Sequence, residues 1–191
     1  MTISTHIKKL ELAIRNVLQQ TSLEKEVVEQ LKPHFELFLK TKDLLPATYK
    51  QPKKNKYSQF LLYKPEDEAF SIVGFVWGSG QTAPIHDHLV WGLVGIYEGA
   101  IEETRYQRVK SKQDGYTLKK VEVVTAKAQD ISYVYPPNRD IHSVRNPFAE
   151  PAITIHLYGT DIGLQKRHIY DESASSKNVV TAHENEVPLY T

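Results

Sequence analysis

The chain contains no cysteine among its 191 residues. Disulfides, thiolate metal ligands and a cysteine nucleophile are therefore excluded. An excess of either charge is missing too: 24 Lys and Arg face 23 Asp and Glu, for a formal net charge of +1. That balance argues against nucleic acid as the main partner, because phosphate binding draws on a concentrated basic surface. The local cluster Lys53, Lys54 and Lys56 reads as a solvated loop. The longest uncharged stretch, 69–85, is broken by Gly, Ser, Gln, Thr and Pro, so no membrane span is expected. The N-terminal stretch MTISTHIKKLELAIRN lacks the short apolar core of a signal peptide, which makes the cytosol the expected location.

What is present is enough chain for one domain with a substantial core, 40% hydrophobic and 25% charged. The first fifty residues carry a helical period. Ile7, Leu10, Ile14, Val17 and Leu18 share one face. A second helix is predicted from Thr21 or Ser22, where TSLE resembles a capping box. Its face runs through Leu23, Val27, Leu31, Phe35, Phe38 and Leu39, and Pro33 is expected to kink or split it. From Tyr57 the texture changes to short β-rich runs, at about 57–63, 70–77, 83–88, 92–98, 101–108, 117–124, 131–135, 141–145 and 152–158. Turn signals such as Gly78-Ser79-Gly80, Asp114-Gly115 and Pro136-Pro137-Asn138 separate them. Many short strands without alternating helices predict a sandwich or barrel. The tail after Asp171 is polar, with 178–182 as a candidate edge strand.

Chemistry gathers in three places. In QTAPIHDHLVWG, His86 and His88 stand two apart; on a strand both imidazoles share a face and Asp87 points to the other. Burying two imidazoles together is costly unless their nitrogens are partnered, and a metal ion partners both. His142, after its own Pro-rich turn, supplies a third ligand. Three neutral imidazoles leave a dication's charge uncompensated, so the site attracts anions and keeps open positions. Zinc there would give hydration or hydrolysis, and iron(II) would give oxygen chemistry. Ligand count alone does not choose. Asp87 is expected to act as a structural or orienting carboxylate. The remaining histidines, His6, His34, His168 and His183, are expected at the surface. The second place is Thr154, His156 and Tyr158, which share one face of a strand and can form a hydrogen-bonded proton chain. The third is Arg167, which on pattern alone pairs with Lys166 as a surface couple.

Gly80, five residues, then His86-Asp87-His88 and later Gly99 resembles the first cupin motif, and Pro137, His142 and Asn146 resemble the second. The fourth cupin ligand, a Glu, is matched here by Gly92. That departure resembles the thiol dioxygenases of the cysteine dioxygenase family, from Tyr57 to Tyr170, including HSVRN and EPAITIHLYG. The resemblance implies a mainly β cupin double-stranded β-helix (a jelly-roll barrel) with N-terminal α-helices packed on it, as one domain over 1–191. It implies Fe(II) on His86, His88 and His142, and a relay of Thr154, His156 and Tyr158 with Thr in place of the family's Ser. The cysteine–tyrosine cross-link of animal-type members is impossible without cysteine. The animal-type carboxylate-binding Arg, two residues after a Tyr, is matched by Gln59, and Arg167 occupies the downstream place seen in bacterial 3-mercaptopropionate dioxygenases. The implied partners are a small thiol carboxylate and dioxygen, with 3-mercaptopropionate favoured over cysteine, and mercaptosuccinate and cysteamine still open. A zinc hydrolase or isomerase on the same scaffold and a non-catalytic thiol-binding cupin are the competing classes. Nothing in the sequence specifies an oligomeric state.

Overall fold

Two amphipathic helices open the chain in a computed structural model that describes residues 2–111, 115–171 and 173–191. Helix α1 (Ile3–Gln20) starts at Thr2, whose hydroxyl accepts the Thr5 N–H, and buries Ile7, Leu10, Ile14 and Val17 as the period predicts. Helix α2 (Glu24–Leu39) begins later than expected. No capping box forms: Leu23 is the cap residue, and Thr21 accepts the Leu23 N–H while donating to Glu26. The helix is not split at Pro33. Its buried face of Val27, Leu31, Phe35, Phe38 and Leu39 explains why. Each such side chain contributes about 1.5–3 kcal/mol of burial, comparable to the roughly 3 kcal/mol that proline costs.

Eleven strands follow among the described residues: β1 (Ser58–Tyr63), β2 (Ser71–Trp77), β3 (Thr82–His86), β4 (Gly92–Glu98), β5 (Ala100–Lys110), β6 (Tyr116–Lys127), β7 (Ile131–Val134), β8 (Ile141–Arg145), β9 (Ala152–Tyr158), β10 (Arg167–Tyr170) and β11 (Ser176–Val179). The turn signal at Asp114-Gly115 falls partly outside the described residues. The edge strand anticipated near 178–182 is β11, formed slightly earlier, and β10 was not anticipated. The strands make two antiparallel sheets, ordered β1-β2-β9-β4-β7 and β11-β10-β3-β8-β5-β6. This mainly β barrel with two leading helices is the cupin double-stranded β-helix.

Strand β9 is buried along its whole length because each of its faces meets a different core. Ile153, Ile155 and Leu157 point out to the helices, where they join Leu31, Phe35 and Leu39. Ala152 and Tyr158 point in, toward Val73, Phe75, Trp77 and Ile96. Period-two alternation therefore carries Thr154 and His156 into the barrel with Tyr158. The register agrees: His156 lies opposite Val73 on one side and Val94 on the other.

Candidate metal centre

Strand β3 ends at His86, so His88 does not share a face with it by simple strand alternation. The chain turns instead, and Leu89 takes a left-handed backbone (φ 60°) that is unfavourable for a bulky residue. Asp140 holds this turn. Its carboxylate accepts the backbone N–H of His88 and of Leu89, each at 3.0 Å. His142 on β8 lies directly opposite His86 in the ladder. The three imidazoles therefore still converge, with ring centroids 4.7–4.8 Å apart and candidate ligand nitrogens within 4.8 Å of one another.

Each ring is oriented through Nδ1. His86 Nδ1–H donates to the Pro84 carbonyl at 2.8 Å, His142 to Glu103 at 2.7 Å, and His88 to Asp140 at 3.2 Å. That tautomer leaves the three Nε2 lone pairs for a shared guest. His88 Nε2 is buried without a hydrogen-bond partner among the described residues. Leaving such an atom unsatisfied costs on the order of 1–3 kcal/mol, and a metal ion is the partner three convergent lone pairs suit. Loss of hydration pushes His86 well below its ordinary pKa, helped by repulsion from the other imidazoles. The same cause brings His88 down to about 4, against the opposing pull of Asp140. Both rings are thus neutral, as ligands must be. Burial pushes the Glu103 carboxyl up, but the His142 hydrogen bond and the Arg105 guanidinium outweigh it and hold it at about 2. Carboxylates thus stand behind His88 and His142 rather than among the ligands, orienting those rings and raising their basicity.

Gly92 begins β4 opposite Tyr158, and a Cβ there would lie 2.5 Å from Tyr158 Cδ1. The place where the cupin pattern carries its glutamate is therefore filled by the tyrosine ring. Gly92→Ala is expected to displace Tyr158 and destabilise the fold by about 1–3 kcal/mol, as overpacking does. A thermal melt and the tyrosine ultraviolet spectrum check this; an unchanged protein would show that the ring has slack.

The row on β9 is fully hydrogen-bonded. His156 Nδ1 meets the Tyr158 hydroxyl and Nε2 meets the Thr154 hydroxyl, both at 2.7 Å. Sequence inspection missed the next member, Trp77, whose indole N–H donates to Thr154 Oγ1 at 3.0 Å. An indole can only donate, so it sets a direction. With Trp77 filling one Thr154 lone pair, the Thr154 O–H donates to Nε2, Nδ1–H donates to the Tyr158 oxygen, and the phenol hydrogen is left to donate elsewhere. The reverse direction would strand the Thr154 hydrogen. Burial keeps His156 neutral and raises Tyr158 well above its usual pKa, so the phenol retains its proton. Tyr158 stacks on His88 at 5.4 Å, which places this donor beside the histidine cluster.

Arg167 is buried at 6% exposure, a correction to its reading as a surface couple on pattern alone. It lines a pocket of about 20 Å³ with Tyr57, Pro84, His86, Ile169, Val179 and Thr181. Among the described residues it has no ion-pair partner, and its Nε is buried without a hydrogen bond. Gln59 faces the barrel interior opposite Phe75 but is not among the residues lining that pocket. Its Nε2 donates to the Thr181 carbonyl at 3.0 Å and to His183 at 3.1 Å, and its Oε1 is buried without a partner. Asp87 points away from the cluster as expected. It accepts from the His168 N–H and Nδ1–H, both at 2.7 Å, and from the Tyr170 hydroxyl at 2.6 Å, clasping the strand that carries Arg167. His183 is buried at 8% side-chain exposure, contrary to its expected surface position, because it bridges Gln59 and Asp161. Lys53, Lys54 and Lys56 are exposed in a loop, as the sequence suggests, and Lys53 and Lys56 pair there with Glu184.

Fold and site together define a cupin barrel with a three-histidine centre able to hold a metal ion. Comparison with known families takes this further: the profile described as cysteine dioxygenase type I matches residues 2–173, and the chain belongs to that family. Solved structures similar to it include an uncharacterized conserved protein with a double-stranded β-helix domain from Klebsiella pneumoniae, at 15% identity and a TM-score of 0.46, covering 70% of this chain and 86% of that one. A cupin superfamily protein from Desulfitobacterium hafniense matches at 14% identity and a TM-score of 0.42, covering 58% and 84%. An oxalate oxidase in complex with glycolate matches at 14% identity and a TM-score of 0.44, covering 63% and 61%.

Proposed function

We propose that the protein is a thiol dioxygenase that converts a small thiol carboxylate, 3-mercaptopropionate first among them, to its sulfinate. The observation that carries this reading is Arg167, a buried cation that among the described residues has no ion-pair partner, on the same pocket as His86. A buried unpaired charge is strongly unfavourable, and a substrate carboxylate bound bidentately by the guanidinium removes that cost. In the reaction the thiolate sulfur gains two S–O bonds and loses four electrons. The O–O bond breaks, both oxygens end on sulfur, and no outside reductant enters.

His86, His88 and His142 would hold iron(II), which would supply the oxygen chemistry. Arg167 fixes the carboxylate end. Tyr158 presents its proton to the reacting groups, with its oxygen held by His156 and, behind that, by Thr154. Gln59, whose amide hydrogens are committed to Thr181 and His183, serves the site by holding the segment that carries them.

Oxygen uptake by the iron(II)-loaded protein against a panel of thiols tests the reading. One dioxygen consumed per sulfinate formed is expected, with kcat/KM ranking 3-mercaptopropionate above cysteine. A zinc-loaded protein that turns over substrate without oxygen would sink it. Arg167→Ala is expected to raise KM about 100-fold while kcat falls less, in keeping with a lost charge-assisted bond of roughly 3 kcal/mol. An unchanged KM removes Arg167 from the site.

A further inference from the structure

The family match ends at residue 173, yet two residues lining the Arg167 pocket, Val179 and Thr181, lie beyond it. We infer that residues 179–185 form the outer wall of the substrate pocket and set the longest thiol acid that the site accepts, an inference resting on the thiol dioxygenase reading above.

The wall is a fastened strand-like strap. Val179 ends β11 opposite Arg167 in the ladder, so the segment begins at the anchoring residue. It then runs to β1, an edge strand of its sheet. The Glu184 N–H donates to the Gln59 carbonyl at 2.8 Å, and the Asn185 side chain brackets Leu61, accepting from its N–H and donating to its C=O, both at 2.9 Å. Leu189 and Tyr190 continue along Leu61 and Leu62. From inside the barrel Gln59 holds the Thr181 carbonyl, and His183 joins Gln59 to Asp161. His183 satisfies both neighbours, accepting from Gln59 at Nδ1 and donating to Asp161 from Nε2. The fit is tight: a side chain at Gly163 would run into the His183 ring.

The pocket so enclosed measures about 20 Å³, room for about one water molecule. A three-carbon thiol acid needs more, so a wall must give. Pro84 and His86 sit on β3 in mid-sheet, and β10 is clasped to Asp87. Thr181 lies past the end of β11, and its carbonyl is held by the Gln59 amide. The strap therefore yields to admit substrate, and how far it yields limits the substrate's length.

Thr181→Ala and Val179→Ala remove wall atoms while leaving the backbone ties in place. The ratio of kcat/KM for 4-mercaptobutyrate over 3-mercaptopropionate is expected to rise at least 10-fold in these variants, the low end of what one methylene is worth in a fitted pocket. Gly163→Ala, which displaces His183 without touching the pocket, should raise the same ratio and speed amide exchange at Glu184. In the iron-loaded protein held without oxygen, 3-mercaptopropionate should slow exchange at Glu184, Leu189 and Tyr190. A ratio unchanged in folded Thr181→Ala and Val179→Ala proteins, with strap exchange indifferent to the thiol, overturns the inference. Failure of the reading beneath it looks different: the wild-type protein would then consume no oxygen with any thiol.

Discussion

His142→Ala is expected to abolish stoichiometric metal binding and, with it, all thiol-dependent oxygen uptake. Two imidazoles would remain, with no fourth protein ligand to compensate, since the metal-capable group among the described residues consists of His86, His88 and His142 alone. The loss also leaves Glu103, a buried carboxylate at 4% exposure, with Arg105 but without the imidazole it orients. A milder change separates ligation from orientation. Glu103→Gln keeps an oxygen for the His142 Nδ1–H but removes the charge behind the ring. Metal affinity should fall about 10- to 100-fold, the usual effect of altering such a partner. Metal content after dialysis, and competition against a chelator, measure both variants. A fully metallated His142→Ala protein would dismiss the site as drawn.

Tyr158→Phe carries the second large effect. It removes the one proton that the β9 row presents toward the cluster and keeps the ring that fills the space against Gly92. The expected result is a 10²- to 10⁴-fold fall in kcat, the range for loss of a positioned proton donor, with metal content and KM near wild type. Trp77→Phe is the companion test of direction. Without the indole donor the Thr154 hydroxyl can face either way, so the row no longer holds a single tautomer. A drop of about 10-fold is expected, together with a shifted pH–rate profile, a readout that lost packing would not move. Wild-type turnover by Tyr158→Phe would assign the proton to another group.

The two helices, the run of short strands and the His86/His88 pair were readable from local pattern, whereas the cupin barrel and the place of His142 beside that pair came from the resemblance of the motifs around them. What escaped depended on chain segments far apart. Glu103 and Asp140 look like ordinary strand and turn carboxylates; only contacts spanning 39 and 52 residues put them behind His142 and His88. Trp77 reads as core until Thr154, 77 residues away, is placed beside it. His183 was misplaced for the same reason, since nothing nearby in the sequence announces Asp161 and Gln59 as its partners. The second helix was misjudged locally: a Thr-x-x-Glu pattern was present, but Thr21 spent its hydroxyl on Glu26 and the Leu23 N–H.

The contact between Gly92 and Tyr158 has a further consequence, one of mutual exclusion. A carboxylate grown from position 92 and the phenol ring of Tyr158 claim the same volume, because even the first carbon of such a side chain overlaps the ring. In this barrel an acidic fourth ligand at position 92 and the Tyr158 ring where it now lies compete for that volume. Restoring the acid by Gly92→Glu alone would therefore not convert this protein into a four-ligand cupin. It would first have to vacate Tyr158, trading the proton donor for the ligand in a single coupled step.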